Sequence, residues 1–176
     1  YKPGLVGGHC ISIDPYYLAF QAKRHGVYPE LILTARKVNN EITQFIMQAM
    51  IKILVNHKID MHRIRIGLFG ITYKENVLDT RNSLALKLLK ELREYGFNCQ
   101  VHDPLVNPKD SKVTLTALED LQELSVAIVL VGHAFYKKMG LKKLLSHCKK
   151  TKIMLDIPNL FVQEVKEETS LIYWSL

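Results

Sequence analysis

Ile64-Arg65-Ile66-Gly67-Leu68-Phe69-Gly70-Ile71, followed by Thr72-Tyr73-Lys74-Glu75-Asn76, is the stretch on which the fold turns. A short apolar run that ends in glycine predicts a buried strand. The amphipathic residues 84–95 behind it predict a helix, capped by Asn82 or Ser83 and stopped at Gly96. Residues 98–102 then read as a second strand ended by Asp103-Pro104, and 117–123 as a short helix. Residues 126–131 are wholly apolar and predict a central third strand. Residues 141–148 read as a helix, 152–157 as a fourth strand closed by Pro158, and 171–174 as an edge strand. Strands alternating with helices imply a parallel sheet with right-handed crossovers, hence an open, doubly wound α/β domain. Ligands of such sheets bind beyond the carboxyl ends of the strands. Residues 72–81, 102–104, 133–136 and 156–159 are therefore expected around one crevice.

Upstream the pattern changes near residue 62. Residues 15–25 predict a helix stopped at Gly26, and a longer helix begins near Pro29. Leu31, Ala35, Val38, Ile42, Phe45, Ala49 and Ile53 recur at spacings of three and four, the mark of one buried stripe, and Ile46, Met50 and Leu54 widen it. A helix of that length, about 45 Å at the standard rise, is too long for one side of a small domain. Its spare apolar surface is expected to meet another domain or subunit; the alternative is a helix lying wholly on its own domain. Residues 1–62 thus form a helical segment and residues 63–176 the α/β domain.

The chain has 176 residues, 48% of them hydrophobic, enough to bury a sizeable core. It shows no apolar run of membrane-spanning length and no signal-peptide pattern in Tyr1-Lys2-Pro3-Gly4. A start without Met is expected of a piece of a longer protein. Three widely spaced cysteines, Cys10, Cys99 and Cys148, predict free thiols in the cytoplasm rather than disulfides or a metal site. The net charge of +7 favours anionic partners, yet no motif for nucleic-acid binding accompanies it.

Two segments carry chemistry. GxGxxG and P-loop signatures are both missing: Gly67-Leu68-Phe69-Gly70 lacks the third glycine. The loop 72–83 instead brings Lys74 and Arg81 to a helix start, a combination suited to phosphate oxygens, although a charged loop of this kind is often simply solvated. Near the amino end stands Gly7-Gly8-His9-Cys10-Ile11-Ser12-Ile13-Asp14-Pro15-Tyr16-Tyr17. Glycines allow close backbone approach, and Asp14 before Pro15 reads as an N-cap. Cys10 then lies just ahead of a helix start, where free amides favour a thiolate. A buried structural thiol is the other reading of Cys10. His9 is no partner for a thiol protease, because adjacent side chains point apart.

Together, residues 3–18, the loop Gly67-Leu68-Phe69-Gly70-Ile71-Thr72-Tyr73-Lys74-Glu75-Asn76 and Asp79-Thr80-Arg81-Asn82-Ser83 resemble the UDP-glucose/GDP-mannose dehydrogenase family, and its UDP-N-acetylhexosamine branch in particular. Asp103-Pro104 and Tyr173-Trp174 extend the resemblance over the whole chain. It implies a catalytic loop and helical dimerisation segment followed by a Rossmann-like UDP-binding domain, with the NAD-binding domain lying outside this chain. It implies oxidation of C6 of a UDP-N-acetylhexosamine to a carboxylate with NAD, through a thioester on Cys10, with Asp14 in the proton and water steps. Gly7 and Lys74 match substrate-binding positions, and Arg81 an arginine that reaches the NAD pyrophosphate. A cytoplasmic homodimer is expected, with no metal, nucleic acid or membrane, and this stretch alone is expected to be inactive. Ile13 replaces the lysine of the UDP-glucose branch, and Pro158 stands where relatives usually carry Arg or Lys. Pro158 sustains a rival reading, a non-catalytic dimerisation and nucleotide-sugar-binding module.

Overall fold

The computed structural model describes residues 4–176, so Pro3 of the amino-terminal motif lies outside the described residues. Five parallel strands, β1 (Arg65–Phe69), β2 (Asn98–His102), β3 (Leu124–Val129), β4 (Cys148–Asp156) and β5 (Leu171–Ser175), pair in the order β2-β1-β3-β4-β5. The chain runs from β1 outward to β2 and then returns to β3 on the other side of β1. The strand order therefore reverses between β1 and β3, and a crevice opens there.

Helices α1 (Asp14–Arg24), α2 (Glu30–Asn56), α3 (Leu84–Glu94), α4 (Ala134–Met139) and α5 (Leu141–Leu145) surround the sheet. Alternation along the strands separates two cores. Ile66, Leu68, Val126, Ile128, Ile153 and Leu155 pack with α2 and α3. Phe69, Ala127, Val129 and Met154 pack with Tyr136 of α4 and the leucines of α5 on the other face. Gly67 packs closely on that second face: a Cβ there would lie 2.4 Å from Leu124 Cδ1, so the leucine side chain would have to shift.

The strands and α3 fall where the sequence places them. Ser83, not Asn82, caps α3 by accepting the Ala85 amide at 3.2 Å, and Gly96 ends it at φ +84°. Three expectations need correction. The helix over 117–123 shrinks to a 3-10 turn, Leu118–Asp120, because Leu121 turns inward to the core and Glu123 adopts a left-handed φ of +54°. The helix over 141–148 ends at Leu145, β4 already starting at Cys148, and α4 precedes it across Gly140 at φ +79°. Asp14 does not cap α1. The helix begins at Asp14 itself, and the Cys10 carbonyl takes the Ile13 and Asp14 amides at 2.9 and 2.8 Å.

Helix α2 realises part of its expected stripe: Ile46, Met50 and Leu54 are buried and Ile42, Ala49 and Ile53 partly so, while other members turn to solvent. Leu31, Val38 and Phe45 are 83%, 62% and 54% exposed, whereas Thr43, Ile46, Met47, Met50 and Leu54 are buried. The helix is apolar on two faces, and one domain covers only one of them. The covered face is tied to α3 by Thr43 Oγ1 donating to Glu91 Oε1 at 3.1 Å and by Lys87 Nζ donating to the Asn40 carbonyl. Its amino-terminal half holds α1 instead: Arg36 lies over the Tyr16 ring at 6.0 Å, and Asn40 Nδ2 donates to Tyr16 Oη at 3.3 Å.

Candidate functional site

A cleft of about 390 Å³ opens at the reversal point, lined by Gly7 and Ile11 from the amino-terminal segment, by Lys74 and Glu75 beyond β1, and by Gly132 and Pro158. Two glycines seat the amino-terminal segment on this domain. A Cβ on Gly7 would lie 2.5 Å from the Asn82 carbonyl oxygen, and Gly8, at φ +95°, packs against the Tyr73 ring. Asn82 Nδ2 donates to the Gly8 carbonyl at 3.3 Å, and Asn39 Nδ2 to the Val6 carbonyl at 3.0 Å. The paired glycines thus serve the chain's own packing, while Gly7 also faces the cleft.

Cys10, Asp14 and Arg81 do not line the cleft; all three are exposed on a ledge beside it. The ledge is organised by Asp79. Its carboxylate accepts the Arg81 Nε at 3.0 Å to each oxygen, Nη2 at 2.7 Å and the Arg81 amide at 2.9 Å. His9 Nδ1 lies 3.9 Å away, and the His9 ring meets Tyr73 edge-on. These side-chain and backbone bonds from Arg81 hold the Asp79 carboxyl down at about 2. The α1 amides are spent on the Cys10 carbonyl rather than its sulfur, which corrects the expected role of the helix start. Cys10 is the exposed thiol of the three; Cys99 and Cys148 are half-buried, and desolvation pushes them up to about 11.

The sequence placed residues 102–104, 133–136 and 156–159 around the crevice without giving them roles. Asp156, fully buried, accepts the Leu160 and Phe161 amides at 3.0 and 2.7 Å and Tyr173 Oη at 2.8 Å, fixing the turn that carries Pro158. Asp103 accepts the Ile71 amide at 2.7 Å and the Leu105 amide at 2.9 Å. Burial works to raise its carboxyl, but the His133 bond and these amides outweigh it and hold it below the usual range. His102 Nδ1 donates to Tyr136 Oη, which donates to the His102 carbonyl, both at 2.9 Å. The available signal was a cluster of polar residues directly after apolar strands.

An α/β domain with a parallel sheet, flanking helices and a ligand cleft at the strand-order reversal belongs to the nucleotide-binding architectures. Residues 67–163 match the UDP binding domain of the UDP-glucose/GDP-mannose dehydrogenase family and residues 1–41 its central domain. The chain belongs to this family. UDP-N-acetyl-D-glucosamine 6-dehydrogenase of Pseudomonas aeruginosa is 32% identical over 168 residues, covering 93% of this chain and 40% of that protein. UDP-N-acetyl-D-mannosamine dehydrogenase of Methanocaldococcus jannaschii is 36% identical over 172 residues, covering 95% of this chain and 38% of that protein. The solved structure of UDP-D-ManNAc dehydrogenase from Pyrococcus horikoshii, 25% identical, superposes with a TM-score of 0.83 over 99% of this chain and 40% of that one. The chain thus spans about 40% of the length of these relatives. Among the described residues no helix is long and apolar enough to cross a membrane, and no cluster of metal-ligating side chains occurs.

Proposed function

We propose that this chain supplies the catalytic loop, the dimerisation helix and the UDP-binding domain of an NAD-dependent UDP-N-acetylhexosamine 6-dehydrogenase. In this reading residues 1–62 form the loop and helical segment, and residues 63–176 the UDP-binding domain. The observation that carries it is the docking of the Gly7-Gly8-His9-Cys10 segment on the loop 72–83, which puts an exposed thiol beside a cleft walled by Gly7 and Lys74. Lys74 has no ion-pair partner among the described residues and is available to a diphosphate. Arg81 commits Nε and Nη2 to Asp79, which leaves Nη1 for a pyrophosphate oxygen and fits the NAD side of the site.

NAD, when bound, supplies the oxidising capacity for the two oxidations at C6. Cys10 Sγ adds to the aldehyde carbon at C6, and its proton passes to the oxygen. After the second oxidation the carbon is held as a thioester. Water opens it, leaving the carboxylate on the sugar and returning the thiol. Asp14, exposed in the first turn of α1 and four residues after Cys10, takes up the proton of that water. The exposed Leu31, Val38 and Phe45 of α2, seven residues apart, form the face through which two copies join.

Calorimetric titration of UDP into the chain tests the cleft: binding is expected, and Lys74→Ala is expected to weaken it about tenfold. No heat at millimolar UDP would refute the assignment. Pro158, apolar on the cleft wall, favours a second reading, a nucleotide-sugar-binding module without turnover. That reading is selected if the longer protein binds UDP-sugar and makes no acid.

A further inference from the structure

We propose that His133 is a positioning residue that holds Lys74 and Glu75 over the cleft through the Asn76 backbone. His133 is fully buried at the exit of β3. Its Nδ1 accepts the Asn76 amide at 2.9 Å, so the ring proton sits on Nε2. Nε2 faces Asp103 Oδ2 at 3.3 Å and Thr72 Oγ1 at 3.2 Å. Thr72 spends its own hydrogen on the Lys74 carbonyl at 2.8 Å, so the hydroxyl accepts from the ring. In the opposite direction, Asn76 Oδ1 accepts the Ala134 amide at 2.9 Å while its backbone takes a left-handed φ of +58°.

The two cleft-facing residues are therefore pinned on both sides, at the Lys74 carbonyl and at the Asn76 amide, and both pins end on one imidazole. Asp103 fixes that ring, being held itself by the amides of Ile71, Leu105 and Val106. Both ring nitrogens are spent within the chain, so His133 acts on the loop and not on a ligand. A buried imidazole costs desolvation that an apolar side chain would avoid. What it supplies here is a defined loop geometry, as supporting residues do in preorganised sites. The part of the inference that concerns ligand affinity rests on the UDP-binding reading; the part that concerns the loop does not.

The test compares two amide replacements. In His133→Asn the side-chain oxygen falls near Nδ1 and can still accept the Asn76 amide. In His133→Gln the terminal amide falls near Nε2, keeping the contact with Asp103 and losing that with Asn76. Amide hydrogen exchange at Asn76, read by NMR, is expected to quicken about tenfold or more in His133→Gln and to stay within about threefold of the native rate in His133→Asn. UDP affinity should follow the same order, by similar factors. Equal exchange in the two variants overturns the proposal, whatever their melting temperatures. A native chain that does not bind UDP refutes the cleft reading and leaves the exchange comparison to decide the role of His133. Should His133→Gln fail to fold, Thr72→Val removes only the hydroxyl bridge; it is expected to quicken exchange at residues 74–76 about threefold. Native exchange rates there would equally overturn the proposal.

Discussion

The cleft and the ledge are neighbours held by opposite means. Beneath the cleft, Asp103, His133, Thr72 and Asp156 are buried side chains whose partners are mostly backbone groups beyond the carboxyl ends of β1, β2 and β4. On the ledge, Cys10, Asp14 and Arg81 are exposed, and the segment is seated by glycine packing and by Asp79. The difference separates two tasks. A wall that recognises a ligand gains from preorganisation inside one domain. On the proposed reading, Cys10 acts with a cofactor held by another surface, and a place at the rim suits that role. The largest test is therefore chemical. In a dehydrogenase of the proposed kind that contains this chain, Cys10→Ala is expected to abolish acid formation, a loss of about 10³-fold or more, while UDP binding to the cleft stays within about threefold. Retained acid formation would remove the thioester role; equal loss of UDP binding would show that ledge and cleft are one unit.

How the ledge is seated gives the next effect. Gly7→Ala forces a Cβ to within 2.5 Å of the Asn82 carbonyl, a backbone atom that cannot swing aside. Overpacking of this kind costs ~1–3 kcal/mol. Gly4→Ala meets nothing within 4 Å and is the neutral control. Denaturant midpoints of the two variants measure the difference, and thiol alkylation reports where the ledge goes. In Gly7→Ala, Cys10 should react faster as the segment lifts, with Cys99 and Cys148 unchanged behind their raised thiols. Equal midpoints would mean that the amino-terminal segment is not docked in solution.

The strands and α3 were legible because apolar runs, caps and glycine stops are local signals, whereas of the expected crevice segments only 72–81 and 156–159 contribute to the cleft lining. The split of the α2 stripe was not legible, since Leu31, Val38 and Phe45 are as apolar as Ile46, Met50 and Leu54, and only tertiary contact decides which of them is buried. Cys10 and Lys74 are singled out in the sequence by a motif and a charge. His133 was seen as part of a segment but given no role, because its partners at 72, 76 and 103 come from two other strand exits. Asp14 was misread for a different reason. Asp-Pro is a common cap pattern, but the turn that the Cys10 carbonyl closes on the Ile13 and Asp14 amides starts the helix at Asp14 and leaves Ile13 in the cap position.

Protons give the smallest effect and sharpen the contrast. His102 sits at the end of β2, and burial lowers its pKa from 6.5 against the pull of Asp103 and Glu119. The unfolded chain therefore binds this proton more readily than the folded one. Stability from His102 is complete above pH 6.5 and is lost as pH falls through the lower folded value. Asp79, held at about 2 by Arg81, contributes stability above 3.8 that is lost towards 2, the same sign in a more acid window. Its guanidinium partner is 68% exposed, so water and salt screen the pair and little stability depends on it. Melting temperatures at pH 7.5, 5 and 3 are expected to fall in two stages, the second carried mainly by the buried Asp103 carboxylate, which the His133 bond and backbone amides hold below its usual range. His102→Asn, whose amide can still donate to Tyr136, should flatten the first stage. Asp79→Asn should hardly move the second, and added salt should leave it unchanged. An Asp79→Asn variant that shifts the acid limb more than His102→Asn would invert the comparison: the ledge, not the sheet end, would then be the more tightly held of the two.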